Sequence, residues 1–272
     1  MQKPPHMLLL YRKKREKSTH GFWHQRQYFE AVDKIRKTGK TTEKKFVTNA
    51  KKWIKDVKME KKAYTHVIWD FNGTVYDDVD ACIQSANRLL GAYGLAPLPS
   101  KEEYRAKFGF PIIEYYTRLG FDFDRYPYAK LAVEWVDYYM EFSANSKVYE
   151  EIPSVLDAVR ERGQEQWILS ATEANMLKGQ LKSLGILHRF HGVLGMDNIH
   201  AHSKEEIGLA WRREHPDACA LMVGDTDHDA QVAAAMGVDC VLVAKGHQSK
   251  ERLEQCKCLF VAESAAEILQ LL

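Results

Sequence analysis

Short apolar strands alternating with amphipathic helical stretches predict an α/β fold. The expected architecture is a parallel sheet covered on both faces, carrying an inserted all-helical segment and a basic helical N-terminal extension. Three observations support this. Residues 64–68 (Tyr-Thr-His-Val-Ile) and 220–224 (Ala-Leu-Met-Val-Gly) are apolar or β-branched runs without polar alternation, as strands buried on both faces require. Stretches with apolar residues at helical spacing separate such runs. Between the first strand and the next helix–strand unit lies a long segment, 79–147, whose patterning is helical throughout.

The chain has 272 residues, 45% hydrophobic and 28% charged, which suits a folded globular protein with one large domain or a core plus an insert. The net charge of +2 conceals an asymmetry. Residues 1–62 hold 19 Lys/Arg against 6 Asp/Glu, whereas the remainder holds 20 against 31. The boundaries read from this are an extension at 1–62, a core at 63–78 and 148–272, and the insert at 79–147.

In the extension, Phe46, Val47, Ala50, Trp53, Ile54 and Val57 fall on one helical face with lysines between. That pattern suits contact with nucleic acid, an acidic partner or anionic lipid; the plainer alternatives are a helix packed on the body or a solvated tail. Met59, just before the first strand, would also serve as a natural start. Five cysteines, an odd number with no secretory leader, point to reduced thiols and a cytoplasmic setting. No run approaches the roughly 20 apolar residues of a membrane span.

Taken in order, Val79, Cys82, Ile83, Ala86, Leu89 and Leu90 share one helical face that ends at Gly91 and Gly94. Helices are expected around 101–119 and 127–143, separated by Leu119-Gly120 and Tyr126-Pro127. Then follow a helix at 154–162, a strand at 166–170, a helix at 173–184 closed by Gly185, and a strand at 192–195. A helix at 204–213, a strand at 220–225, a helix at 229–236, a strand at 240–244 and a last helix at 263–272 complete the series. Helices between strands imply parallel pairing.

Four features fall at strand ends or helix starts, where ligands bind in open α/β sheets. They are Asp70 with Gly73-Thr74, Ser170, Lys204, and the run Gly224-Asp225-Thr226-Asp227-His228-Asp229. Each has a plainer reading. Asp70 could simply sit on a turn, Asp225 and Asp229 could cap a helix, and Ser203-Lys204-Glu205-Glu206 is a good helix start.

The order and spacing of these four features resembles the haloacid dehalogenase-like hydrolase superfamily over about residues 64–272, and within it the phosphoglycolate phosphatase-like branch. The resemblance implies a Rossmann-like core with the insert as its cap. It also implies an Mg²⁺-dependent phosphatase acting on a small phosphorylated metabolite. Asp70 would attack phosphorus and form an aspartyl-phosphate. Asp70, the backbone carbonyl of Asn72, Asp225 and, directly or through water, Asp229 would hold the metal. Lys204 would offset negative charge, while Thr74, Ser170 and backbone N–H groups of the turns, that of Ala171 among them, would bind phosphoryl oxygens.

Two departures stand out. The family's phosphatases usually carry an aspartate acid/base two residues after the nucleophile, where this chain has Asn72. Losing such help costs on the order of 10²–10⁴ in rate. Either the substrate has a good leaving group, or another group such as Asp77 moves the proton, or the protein binds phosphate esters and turns them over slowly. Asn72→Asp is accordingly expected to maintain or raise hydrolysis. Second, Ala171-Thr172 follows Ser170 where related phosphatases often have asparagine.

Overall fold

A computed structural model of the chain describes residues 62–196 and 203–272. The basic helical pattern expected within 1–62, the Met59 start and the partner readings attached to them lie outside the described residues. The described residues form one compact unit.

Its centre is a six-stranded sheet of β1 (His66–Trp69), β4 (Glu165–Glu173), β5 (Gly192–Met196), β6 (Ala220–Gly224), β7 (Asp239–Val243) and β8 (Val261–Ala262). The order is β5-β4-β1-β6-β7-β8, with every neighbouring pair parallel. The expected α/β class is therefore observed. The chain moves outward from β1 on one side, through β4 and β5, and then crosses to β6 on the other. Such a reversal opens a crevice beyond the strands' carboxyl ends, and it falls at β1.

The strands alternate between two cores. Val67, Trp69, Ile168, Leu221, Val223, Val241 and Val243 point into one; Ile68, Leu169, Ala220, Met222, Cys240 and Leu242 point into the other. Period-2 geometry with both faces covered explains why these segments read as continuous apolar runs. The first core is closed by α5 (Ile152–Glu161) and α6 (Ala174–Ser183), the second by α7 (Lys204–Glu214) and α8 (Asp227–Met236). Buried Gln166 ties the first together: it accepts from Trp69 Nε1 at 3.1 Å and donates to the carbonyl of Leu156 at 2.9 Å. Truncating fully buried Leu156 or Ile168 to alanine should cost about 2–5 kcal/mol.

The helical insert contains α1 (Val79–Ala92), α2 (Lys101–Lys107), α3 (Ile112–Leu119) and α4 (Tyr128–Ser143). It leaves and re-enters the core through two short antiparallel strands, β2 (Tyr76–Asp77) and β3 (Lys147–Val148). These connecting strands escape sequence reading because two residues carry no periodicity.

Two expected helices differ from observation. The stretch 101–119 is split into α2 and α3 by Phe108-Gly109-Phe110-Pro111, since proline lacks an N–H and pushes its predecessor out of the α region. The break lets this loop meet the core. Arg252 of α9 (Lys250–Leu253) donates from Nη1 to the Phe108 carbonyl at 2.7 Å, and a Cβ on Gly109 would stand 2.7 Å from its Nη2. The expected last helix, 263–272, is instead a 3₁₀ segment, Ala265–Gln270, after β8. Its start is fixed by a Ser264/Glu267 capping box, and six residues give little length for α-helix propagation.

Candidate active site

Asp70 follows β1, and its backbone N–H donates to the Val223 carbonyl of β6 at 2.8 Å. The side chain therefore stands at the carboxyl end of the central strand. The turn after it depends on Gly73, which has φ +74°. A Cβ there would collide with Asp225 and His247, so only glycine lets the loop approach them. Gly246 is constrained similarly, because a Cβ would run into Asp225 and the Gly73 carbonyl.

Lys204, at the first position of α7, is buried and its Nζ reaches both Asp70 Oδ1 and Asp229 Oδ1, the latter at 2.6 Å. The helix-start reading holds, since Ser203 caps α7 by accepting from the Glu206 N–H, but Lys204 is buried and is not an ordinary surface lysine. Asp229 serves as the helix cap and also faces the Asp70 group. Its Oδ2 accepts from the backbone of Asp225 and Thr226 and from Thr226 Oγ1, closing a capping box, while its Oδ1 meets Lys204. Asp225 accepts from Thr74 Oγ1 at 3.1 Å and from the His247 N–H at 2.6 Å. The hydroxyl hydrogen of Thr74 is thus directed to Asp225. Ser170 is buried within β4, which runs three residues past the expected strand end at 170. It accepts from the Thr172 N–H and donates to Thr172 Oγ1, both at 3.1 Å, and Ala171 between them is exposed.

Oxygens of Asp70, Asp225 and Asp229 lie within 4.8 Å of one another. Three buried carboxylates beside one lysine leave an excess of negative charge, and the proton equilibria reflect it. Burial raises Asp70 well above the usual range; Lys204 opposes this, and Asp229 and Asp225 add to it. Asp225 is pushed up to about 6 by burial, against the favourable charge of His247 and with Asp229 adding. Burial also penalises Asp229, but Lys204 and the Thr226 hydrogen bonds hold it low. Lys204 is raised: burial works against its charge, and the two aspartates outweigh burial. Hard oxygen donors with uncompensated charge are the chemistry that suits Mg²⁺.

A second polar cluster adjoins this one. Asp78, fully buried, accepts from Asn72 Nδ2 at 2.7 Å, Tyr139 OH at 2.8 Å and the Gly73 N–H at 3.0 Å. His247 Nε2 lies 3.4 Å from it, and His247 Nδ1 lies 2.8 Å from Tyr104 OH. Burial disfavours both charges of that pair, yet their mutual attraction prevails: Asp78 is held low and His247 is raised to about 9. The Asn72 carboxamide is engaged on both sides. It donates to Asp78 and to Tyr139 OH, and it accepts from Thr172 Oγ1 at 3.0 Å.

Asp78, Tyr104, Tyr139 and His247 escape the sequence reading. His247 was findable by the strand-end rule that picks out Asp70 and Asp225, because Lys245-Gly246-His247 follows β7. Asp77, named from the sequence as a proton-moving group, is not the residue that meets Asn72. Alternation along β2 sends Tyr76 inward, Asp77 outward and Asp78 inward, so Asp78 and not Asp77 stands beside Asn72.

The family model for haloacid dehalogenase-like hydrolases matches residues 67–243, and the chain belongs to that family of enzymes. A phosphoglycolate phosphatase of Vibrio parahaemolyticus is 23% identical over 215 residues, covering 75% of this chain and 94% of that one. The tyrosine-protein kinase PtkA of Mycobacterium tuberculosis is 26% identical over 207 residues, covering 73% and 68%. Among solved structures, a haloacid dehalogenase-like hydrolase from Streptococcus pneumoniae superimposes with a TM-score of 0.67 at 19% identity, covering 76% of this chain and 97% of that one. That likeness extends to the fold. No helix among the described residues is long and apolar enough to cross a membrane.

Proposed function

We propose that this chain is an Mg²⁺-dependent phosphatase that hydrolyses a small phosphorylated metabolite through an aspartyl-phosphate on Asp70. The observation that carries the reading is the buried group of Asp70, Lys204, Asp225 and Asp229 at the central strand end. Family membership and the similarity to phosphoglycolate phosphatases support the same reaction class.

In this reading the carboxylate of Asp70 attacks phosphorus as the bond to the ester oxygen breaks, and the leaving oxygen takes its proton from water. A second water then cleaves the acyl phosphate to free the carboxylate and release phosphate. Lys204 holds Asp70 in place and offsets charge as the two anions approach. Thr74, Ser170 and the N–H groups near Ala171 would bind the phosphoryl oxygens, the two hydroxyls turning their hydrogens from Asp225 and Thr172 to do so. Mg²⁺, held by Asp70, Asp225 and the Asn72 carbonyl with Asp229 in support, would supply electrostatic stabilisation of the transferring phosphoryl group. The domain boundaries, a helical cap at 79–147 on a core of 63–78 and 148–272, and a cytoplasmic location belong to the same proposal.

Asn72 favours a second reading, a protein that binds phosphate esters and turns them over slowly, because its amide is engaged and does not titrate. Phosphate release from a panel of phosphorylated metabolites, with Mg²⁺ and with chelator, separates the two. Turnover on one or a few compounds supports the first. Phosphate-dependent thermal stabilisation without turnover supports the second.

A further inference from the structure

The phosphatase reading leaves Asp78 without a role, although it is the most heavily engaged carboxylate beside the site. Three donors from two distant parts of the chain converge on it: Asn72 Nδ2 and the Gly73 N–H of the turn after Asp70, and Tyr139 OH of α4 in the helical insert. Its fourth neighbour is His247 Nε2 at 3.4 Å, whose backbone N–H holds Asp225. Cys82 Sγ approaches it at 3.7 Å. One buried anion thus touches the turn that aims Asp70, the loop that aims Asp225, and the insert. Tyr139 OH is bonded to both Asn72 and Asp78, so the insert closes a three-membered ring of hydrogen bonds.

We propose that Asp78 is a positioning residue that, through Tyr139, makes the working shape of the Asp70 turn depend on the seating of the helical insert. A buried carboxylate with three good donors and a cationic neighbour is satisfied only while all of them are in place. If the insert moves away, Tyr139 leaves, Asp78 and Asn72 lose a shared partner, and the turn relaxes. Displacements near 1 Å at a reacting group are worth up to about 10²-fold in rate. The carboxamide at Asn72 fits this arrangement as a donor to Asp78.

The inference rests on the phosphatase reading for its effect on turnover, and its structural half has a readout of its own. The Cys82 thiol is buried against Asp78, so its alkylation rate, followed by peptide mass spectrometry on the full chain, reports the ring without any chemistry. Tyr139→Phe keeps the ring stacked on Trp135 and removes only the hydroxyl; Asp78→Asn keeps the shape and removes the charge. We expect each variant to speed Cys82 alkylation about tenfold or more. Each should also lower kcat on an aryl phosphate by about tenfold to 10²-fold with little change in KM, and the double variant should be no worse than the more damaging single one. Fold-changes that simply multiply, or an unchanged kcat with faster alkylation, would overturn the positioning role. So would unchanged alkylation in both variants. Wild-type turnover in Asp70→Asn would instead refute the aspartyl-phosphate mechanism on Asp70, and the alkylation arm would still decide whether the ring exists.

Discussion

The side-chain amide of Asn72 donates to the buried carboxylate of Asp78 across 2.7 Å, and Tyr139 OH bonds to both. That contact reverses one expectation drawn from the sequence. Asn72→Asp would put two carboxylates where donor and acceptor now meet, and like charges that close cannot both ionise. Activity should fall, with a loss of about 1–3 kcal/mol in stability. The paired exchange Asn72→Asp with Asp78→Asn restores one donor and one acceptor and should recover much of both. Urea midpoints and kcat for the two singles and the pair test this; a fully active Asn72→Asp single variant would contradict it.

Lys204 is the only base in contact with Asp70 and Asp229 among the described residues. Lys204→Met leaves two buried carboxylates unpaired, which typically costs about 3–5 kcal/mol. Turnover should vanish. Added Mg²⁺ should return part of the lost stability, because a divalent cation offsets the same charge. Thermal melts of the variant with and without Mg²⁺ measure this, and a variant as stable as wild type would refute the assigned role.

Metal binding should depend on pH with a definite sign. Asp225 in the metal-free chain is raised to about 6 from 3.8, and Asp70 is raised well above its usual value. An acid with a raised folded-state value contributes stability that is present below its unfolded value. That contribution is lost as pH rises through the folded one. The metal-free protein therefore loses stability from these groups as pH climbs through about 6. Mg²⁺ binds ionised carboxylates and makes up that loss. The Mg²⁺-induced rise in Tm should then be small near pH 5 and larger near about pH 7.5. A rise that does not change with pH would contradict the assignment of these carboxylates to the metal.

Gly246→Ala tests how closely the loop after β7 must approach. A Cβ there collides with the Asp225 carboxylate and the Gly73 carbonyl. The sheet and its two cores lie elsewhere, so the fold should survive while Mg²⁺-dependent stabilisation and turnover fall together by about tenfold or more. Circular dichroism and Mg²⁺ melts check both halves.

Much of the sheet was legible because parallel strands covered on both faces are apolar throughout, as in 220–224. Asp70, Lys204 and Asp225 were legible because each sits at a strand end or helix start. The engagement of Asn72 was not. Its partners, Asp78, Tyr139 and Thr172, are brought to it by a two-residue strand, by the insert and by the end of β4, none of which leaves a local signature. The split of 101–119 could have been read from Gly109 and Pro111, which outweigh the apolar spacing around them. The 3₁₀ segment Ala265–Gln270 shares its apolar spacing and its capping box with a short α-helix, so sequence pattern has little leverage between the two.

The central claim is that Asp70 carries the phosphoryl group. With Asn72 unable to activate water, hydrolysis of the acyl phosphate should lag its formation, so the intermediate should accumulate. The most direct measurement is acid quenching during turnover of an aryl phosphate with Mg²⁺, followed by peptide mass spectrometry of the segment containing Asp70. The account predicts one phosphoryl group on Asp70 that disappears in Asp70→Asn together with turnover. Turnover persisting in Asp70→Asn, or a phosphoryl group on a different residue, would contradict it.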